Sequence, residues 1–223
     1  GRFMDSWRIE VYQDDEDVLA KSVLVSPDGE EWEVLVVTAA PGAITNPYFP
    51  DVIECVGVLH HMADPYAGWR ALLDRLRPGG LMLIGLYSAV SRRVIRALSE
   101  DPDWPGPNAD DDGLRAYRRK LIHGGSGEDA FALTKSVDFF TKSGFRDLAL
   151  HVSERPCTIP EISDFMTAHG LEFHGFNLPD ETLRAYADAF PGDEPPGTLE
   201  HWRAFEQDNA QTFNSMYLFW CRK

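Results

Sequence analysis

The segment from Asp51 to Ser88 is the feature that most limits how this chain folds, because it has the pattern of a strand, a helix and a second strand. Residues 51–56 are a short apolar run rich in Val and Ile, typical of a parallel strand buried on both faces. Asp64 and Pro65 then supply an N-cap and a favoured first helical residue. The helix has one apolar stripe at i, i+3, i+4 and i+7, which is formed by Trp69, Leu72, Leu73 and Leu76.

The second strand follows at residues 81–86, after a Pro-Gly-Gly sequence that ends the helix. A helix-containing connection between parallel strands is nearly always right-handed, so both strands should belong to one sheet. In such sheets ligands bind beyond the carboxyl ends of the strands. Here those ends carry Gly57, His60, His61 and Met62 after the first strand, and Tyr87 and Ser88 after the second.

These residues resemble the later half of the class I S-adenosylmethionine-dependent methyltransferases. The matching pieces are the strand at 51–56, the loop at 57–62 and the Leu-Arg-Pro-Gly-Gly turn at 76–80. The phrases VLHHMADP and GLYS resemble an uncharacterised bacterial subgroup of that family, and the terminal MYLFWCRK resembles its closing strand. The resemblance implies a Rossmann-like α/β sheet, mostly parallel with an antiparallel last strand, and S-adenosylmethionine as the cofactor.

The same resemblance implies roles for particular residues. The expected cofactor-binding residues follow the first strand and are Cys55, Val56, Gly57, Val58, Leu59 and His60. The expected catalytic residues are His60, His61 and Tyr87, since imidazole titrates near neutrality and a hydroxyl can orient an acceptor. The expected substrate-binding residues are Tyr87, Arg92, Arg146 and His151. For each set the alternative is a structural role, in the loop, the sheet edge or surface ion pairs.

The front of the chain lacks the glycine-rich loop that the family uses to hold its cofactor. A glycine turn at residues 39–43 follows an apolar run, but too few residues remain before Asp51 for a helix and another strand. We therefore expect a fold that is truncated or altered at its N-terminus. The pattern of residues 1–50 predicts a β-hairpin around Asp28-Gly29, followed by a loop. The hairpin either extends the sheet or pairs with nothing native.

The remainder, residues 51–223, is predicted to be the methyltransferase-like domain, with a helical insertion at about 92–158 where a substrate lid would lie. Within it, helical patterns cover 89–98, 114–122 and 137–142. After it, Thr158 and Glu161 form a capping box that opens a helix ending at Gly170. A strand at 171–176, two amphipathic segments at 179–190 and 198–208, and a last strand at 213–221 complete the pattern.

Composition limits the partners. A net charge of −15 over 223 residues makes nucleic acid a poor partner, because phosphate binding rests on Lys and Arg. Three widely spaced cysteines indicate a reducing, cytoplasmic compartment rather than a disulfide framework. No apolar run approaches the length of a membrane span, so no membrane partner is expected. The methyl acceptor, a small molecule or a protein, and the oligomeric state are not specified.

Two other functions compete with methyl transfer. One is a non-catalytic binding or interaction module that keeps the scaffold without the cofactor loop, because fold alone does not decide function. The other is a metal-dependent hydrolase that uses the histidine pair with Asp64 and His151. Adjacent histidines lack the i, i+4 spacing of a helical zinc motif, and no cysteine cluster supports them, so no metal is expected.

Overall fold

The structure, a computed structural model, describes residues 8–12, 19–25, 31–37, 49–125, 127, 130–131, 133–135, 137–150, 154–193, 195–213 and 215–223. Side chains are described from residue 33 onward, except those of Val137, Asp138 and Asp147. The chain divides into two compact units. Residues 1–91 and 155–223 form the first unit, and residues 92–154 form the second. The predicted insertion at about 92–158 covers the second unit.

The first unit is built on one sheet of seven strands. In chain order the strands are β1 Arg8–Tyr12, β2 Leu19–Val25, β3 Glu31–Val37, β4 Val52–Cys55, β5 Leu81–Tyr87, β6 Glu172–Phe176 and β7 Met216–Arg222. Their order across the sheet is β1-β2-β3-β4-β5-β7-β6. β3, β4 and β5 pair in parallel, whereas β7 runs antiparallel to both β5 and β6. The predicted α/β sheet with an antiparallel last strand is therefore confirmed.

Four helices of this unit carry apolar faces. They are α1 Pro65–Arg75, α5 Ile159–Ala168, α6 Asp180–Ala189 and α7 Leu199–Asp208. Asp64 caps α1 as predicted, accepting hydrogen bonds from two backbone N–H groups at 3.0 Å. Trp69 of α1 stacks on Phe165 of α5 with ring centroids 4.1 Å apart and meets Phe219 of β7 edge-on. One aromatic cluster thus joins two helices to strand β7 of the sheet.

The predicted hairpin is present, and it extends the sheet. β2 and β3 are antiparallel along their whole length, and β3 continues the sheet by pairing in parallel with β4. Residues 26–30 and 38–48, which include both predicted turns, lie outside the described residues. On the side away from β5, the parallel neighbour of β4 is therefore the second strand of a hairpin.

Asp51 holds three strands together at the edge of the sheet opposite the predicted site. Its carboxylate accepts a hydrogen bond from the backbone of Glu33 at 3.0 Å, and it forms an ion pair with Arg77 at 2.7 Å. Its backbone carbonyl accepts from Leu81 N at 2.9 Å. The residue predicted as the start of a strand therefore fixes the starts of β3, β4 and β5 relative to one another.

The second unit is mainly helical. It contains α2 Arg93–Ser99, α3 Asp111–Ile122 and α4 Lys142–Ala149, with 3₁₀ turns at Leu133–Lys135 and Val137–Phe140. Its buried apolar residues, among them Tyr117, Phe139 and Phe145, form a core of their own. The prediction that a helix starts at Ala89 is wrong. The hydroxyl of Ser88 accepts hydrogen bonds from Val90 and Ser91, which holds a turn there instead.

A carboxylate at Asp193 closes the connection between α6 and α7. It accepts hydrogen bonds from the hydroxyl of Tyr186, from Nδ1 of His201 at 2.6 Å and from the backbone N–H of Thr198 at 3.1 Å. These donors, with Tyr186 the largest contribution, lower the pKa of Asp193 from 3.8 to about 2. The ionised carboxylate is thus the form that the fold requires.

This arrangement predicts acid-sensitive stability. Because the pKa of Asp193 is lower in the folded chain, its contribution is complete above about pH 4 and is lost as the pH falls towards 2. We expect Asp193→Asn to unfold at lower urea concentration than the wild type at pH 6, with the difference shrinking between pH 4 and 2. Circular dichroism during urea titration measures it. A difference that stays constant down to pH 2.5 would contradict the assignment.

The predicted capping box at the start of α5 is confirmed. Glu161 accepts a hydrogen bond from the backbone of Thr158 at 2.8 Å, and the Thr158 hydroxyl accepts one from the backbone of Glu161.

We expect Thr158→Ala to lower the free energy of unfolding by about 1 kcal/mol, because the start of the helix loses its hydrogen-bond acceptor. Thr158→Ser keeps the hydroxyl and serves as the control. Equal stability of the two variants in urea unfolding would argue against the cap.

Candidate functional site

Three aromatic side chains meet at the carboxyl ends of β4 and β5. The ring of His60 stacks on Tyr87 with centroids 3.6 Å apart and planes inclined by 20°. His61 meets His60 at 4.3 Å and Tyr87 at 5.8 Å, both edge to face. His60 has no exposed surface, whereas His61 and Tyr87 are partly exposed. The three predicted catalytic residues are therefore together, and the two that a ligand can reach are His61 and Tyr87.

The loop that carries the histidines is shaped by two glycines. Gly57 adopts a φ of +79° and is exposed, with nothing within 4 Å of where a side chain would begin. The chain then forms a 3₁₀ turn over Leu59–His61. A Cβ on Gly68 of α1 would lie 2.6 Å from the sulfur of Met62, so α1 packs directly under this turn. The turn is thus supported from below, and its backbone is open at Gly57.

A distant segment completes the site from one side. The backbone N–H of Arg155 donates to the carbonyl of His60, and that of Cys157 donates to the carbonyl of Tyr87, both at 2.8 Å. Ala89 in turn donates to the carbonyl of Cys157. Residues 155–157 therefore tie the two strand ends together. Sequence reasoning did not assign this segment to the site, because backbone pairing between distant residues leaves no mark in a single sequence.

A buried carboxylate holds the turn that follows β5. Glu206 of α7 is 4% exposed and accepts hydrogen bonds from the hydroxyls of Ser88 at 2.9 Å and Tyr217 at 2.7 Å. Burial, followed by the negative charge of Glu206, raises the pKa of Tyr217 and keeps its hydroxyl a donor. Sequence reasoning missed Glu206. The available signal was a charged residue beside Trp202 and Phe205 on an apolar helix face, since buried charges require partners.

Some of the predicted cofactor-binding residues are buried in the core, and others are exposed or partly exposed at the surface. Cys55 and Leu59 are fully buried, and burial raises the pKa of the Cys55 thiol to about 12. Their side chains belong to the core, so only their backbone could face a ligand. Val56 and Val58 are partly exposed and flank the open Gly57. The stretch that can touch a cofactor is therefore 56–58, and its role stays a prediction.

The predicted substrate-binding residues lie in both units. Tyr87 belongs to the first unit, whereas Arg92 and Arg146 belong to the second. Arg92 is 4% exposed and forms an ion pair with Glu154. Arg146 donates to the carbonyls of Pro107 and Ala109. Their guanidinium groups thus hold parts of the second unit together. His151 lies outside the described residues.

The described residues contain neither a metal-binding cluster nor a membrane-spanning helix. No group of three or more His, Cys, Asp and Glu side chains there is arranged to hold a metal ion. No helix in the same part of the chain is both long enough and apolar enough to cross a membrane. Cys55, Cys157 and Cys221 are all buried and carry free thiols.

The fold is similar to solved structures of PKMT2 from Rickettsia typhi. The structure of PKMT2 in complex with AdoHcy matches with a TM-score of 0.56 and 12% identity, covering 82% of this chain and 38% of that one. A second PKMT2 structure matches with a TM-score of 0.55 and 10% identity, covering 82% and 37%. The match confirms the predicted α/β fold. This chain thus aligns with little more than a third of PKMT2.

One relative in sequence matches a short part of the chain. An uncharacterized protein of Synechococcus sp., syc1184_c, is 48% identical over 50 residues, which cover 22% of this chain and 12% of that protein. No family model matches the chain. The sequence match to this relative thus covers less than a quarter of the chain.

The buried carboxylate predicts a measurable difference between two tyrosines. Tyr217→Phe removes a donor from Glu206, so we expect the free energy of unfolding to fall by about 1–2 kcal/mol. Tyr66→Phe is the matched control, because the buried Tyr66 hydroxyl faces the Cys157 thiol, a weak hydrogen-bonding group, and not a carboxylate. We expect a clearly smaller loss from that change. Urea unfolding followed by circular dichroism compares the two, and equal losses would show that Glu206 does not depend on Tyr217.

Proposed function

We propose that this chain is an S-adenosylmethionine-dependent methyltransferase, or the carboxyl-terminal part of one, that acts on a small-molecule or protein acceptor. The observation that carries the proposal is the fold shared with PKMT2, a protein whose structure holds AdoHcy. The exposed turn at Gly57 stands beyond β4, at the edge of the sheet where ligands of such folds bind. His61 and Tyr87 stand beside it.

The residues present fit one side of the cofactor. Gly57 leaves its backbone open to close approach, and Val56 and Val58 offer partly exposed apolar surface beside it. On the other side, β3 takes the place beside β4, and the sequence after it has no glycine-rich turn leading into a helix. We therefore propose that the backbone of residues 56–58 contacts the cofactor. We assign no residue to the binding of its ribose.

The proposed mechanism asks little acid–base work of the chain. S-adenosylmethionine, when bound, supplies a methyl group that is already activated. The residues of this chain would orient the acceptor, exclude water and remove one proton. Tyr87 is suited to orient the acceptor through its hydroxyl, and His61, which is partly exposed, is suited to take the proton. His60 is fully buried and stacked on Tyr87, so its part is to hold that ring.

A second candidate function is a binding module without catalysis. It is favoured by the hairpin strand β3, which pairs with β4 where the family resemblance implies a strand with a glycine-rich turn. Under this proposal the carboxyl edge of the sheet still presents His61 and Tyr87, but to a partner and not to a methyl donor. Under either proposal, nucleic acid, membrane and metal are not expected, and the cytoplasm is the proposed compartment on account of the free thiols.

Calorimetry with S-adenosylhomocysteine separates the two candidates. The methyltransferase proposal expects the wild type to bind, and Gly57→Leu to weaken binding by at least about tenfold, because a side chain would fill the open turn. Gly170→Leu is the matched control, since Gly170 also has a positive φ, of 64°, and open space around it. It lies at the end of α5.

The outcomes are distinct. If a folded wild-type sample binds no S-adenosylhomocysteine at millimolar concentration, the methyltransferase proposal is contradicted and the binding-module proposal remains. Equal weakening by Gly57→Leu and Gly170→Leu would show that backbone strain, and not a cofactor contact, caused the loss. Circular dichroism of both variants verifies that they remain folded.

A further inference from the structure

The second unit contains a small cleft lined by three cationic, three apolar and one acidic side chain. Its volume is about 260 Å³, and it is lined by Asp111, Leu114, Arg115, Arg118, Phe140, Lys142 and Phe145. Three of these side chains carry a positive charge and one carries a negative charge. This balance is opposite to that of the chain as a whole, whose net charge is −15. The cleft is therefore a local cationic site on an acidic protein.

The cations are arranged as a stripe on α3. Arg115, Arg118 and Arg119 follow one another at i, i+3 and i+4, so they share one face of the helix. Like charges at this spacing destabilise a helix. Arg115 forms an exposed ion pair with Asp112 and also interacts with Asp111, and such exposed pairs contribute little. The repulsion between the arginines of the stripe would be relieved by an added anion.

Arg118 is the best placed of the three to receive that anion. Its guanidinium lies over the rings of Phe139 and Phe145, at 5.4 and 5.5 Å from their centroids. No carboxylate of the described residues forms an ion pair with it. By contrast, the Asp111 carboxylate is engaged by Lys142, whose hydrogen bond lowers its pKa. The stacked guanidinium is thus held in position with its N–H edge available for a planar, bidentate acceptor.

The size of the cleft and its rim favour a peptide. A volume of about 260 Å³ is below the roughly 300–1,000 Å³ of pockets for drug-sized ligands, but it accommodates one or two side chains. Phe140 at the rim is 63% exposed, and exposed aromatics beside arginines are typical of protein interfaces. A nucleic acid is disfavoured, because its many phosphates would face an acidic protein with few cations to neutralise them.

We propose that this cleft binds a carboxylate side chain of a partner peptide, with Arg118 as its bidentate partner and Phe140 packing against an adjacent apolar residue. The ligand class is a short acidic and apolar protein segment. The proposal concerns the second unit alone and does not depend on methyl transfer.

Fluorescence anisotropy of the full chain tests the proposal with a labelled hexapeptide of alternating glutamate and leucine. We expect the wild type to bind it, and Arg118→Gln to weaken binding by about tenfold, because a charge-assisted bidentate contact is lost. Arg203→Gln is the matched control, since Arg203 is an exposed arginine on α7 of the first unit. It should bind as the wild type does. Phe140→Ala, which changes an exposed side chain, should also weaken binding.

Three further probes decide what the cleft recognises. The same peptide with glutamine in place of glutamate should bind at least about tenfold more weakly, since the anion is removed. Free sodium glutamate should compete poorly, because it lacks the apolar neighbour. The proposal is overturned by no binding of the acidic peptide at millimolar concentration, by equal binding to Arg118→Gln, or by effective competition from free glutamate. Tighter, Arg118-dependent binding of oligouridylate would overturn it in favour of phosphate.

Discussion

The pairing of β5 on both of its edges is the constraint on which the first unit depends. β5 pairs in parallel with β4, which α1 joins to it, and antiparallel with β7, which arrives only after the whole second unit has been inserted. Gly85 makes this possible where the strands crowd, since a Cβ there would lie 2.8 Å from the sulfur of Met216 and 3.0 Å from Val56. Tyr87 and Ser88 are placed by this pairing.

The features that could be predicted from the sequence are local ones. Asp64 and the Thr158–Glu161 pair indicate where helices start. Each capping side chain lies within three residues of the backbone N–H groups whose hydrogen bonds it accepts. The meeting of His60 and Tyr87 followed from one rule about strand ends. The partners of Glu206 and of residues 155–157 could not be predicted, since they lie far along the chain. For the same reason the ion pair between Arg92 and Glu154 could not be predicted.

The carboxyl edge of the sheet combines a rigid and an open part. The stacked His60 and Tyr87, the ties from residues 155–157 and the hydroxyl contacts of Glu206 fix the ends of β4 and β5. Gly57 stands next to them with open space around it. Fixed side chains beside an accessible backbone allow a site to orient a ligand without rearrangement. This edge therefore has both the fixed side chains and the open backbone that a ligand site requires.

The Ser88–Glu206 hydrogen bond has a consequence for how the chain reaches its native state. It joins residues 118 positions apart, and the third member of the contact, Tyr217, lies on the strand that fills the gap between β5 and β6. Contacts of such long sequence separation form slowly, because much loop entropy must be lost first. During synthesis the turn after β5 therefore lacks its buried carboxylate until α7 has emerged from the ribosome, and it lacks the Tyr217 contact until β7 has followed. The candidate site therefore reaches its final arrangement well after the two strands that carry it, β4 and β5, have been made.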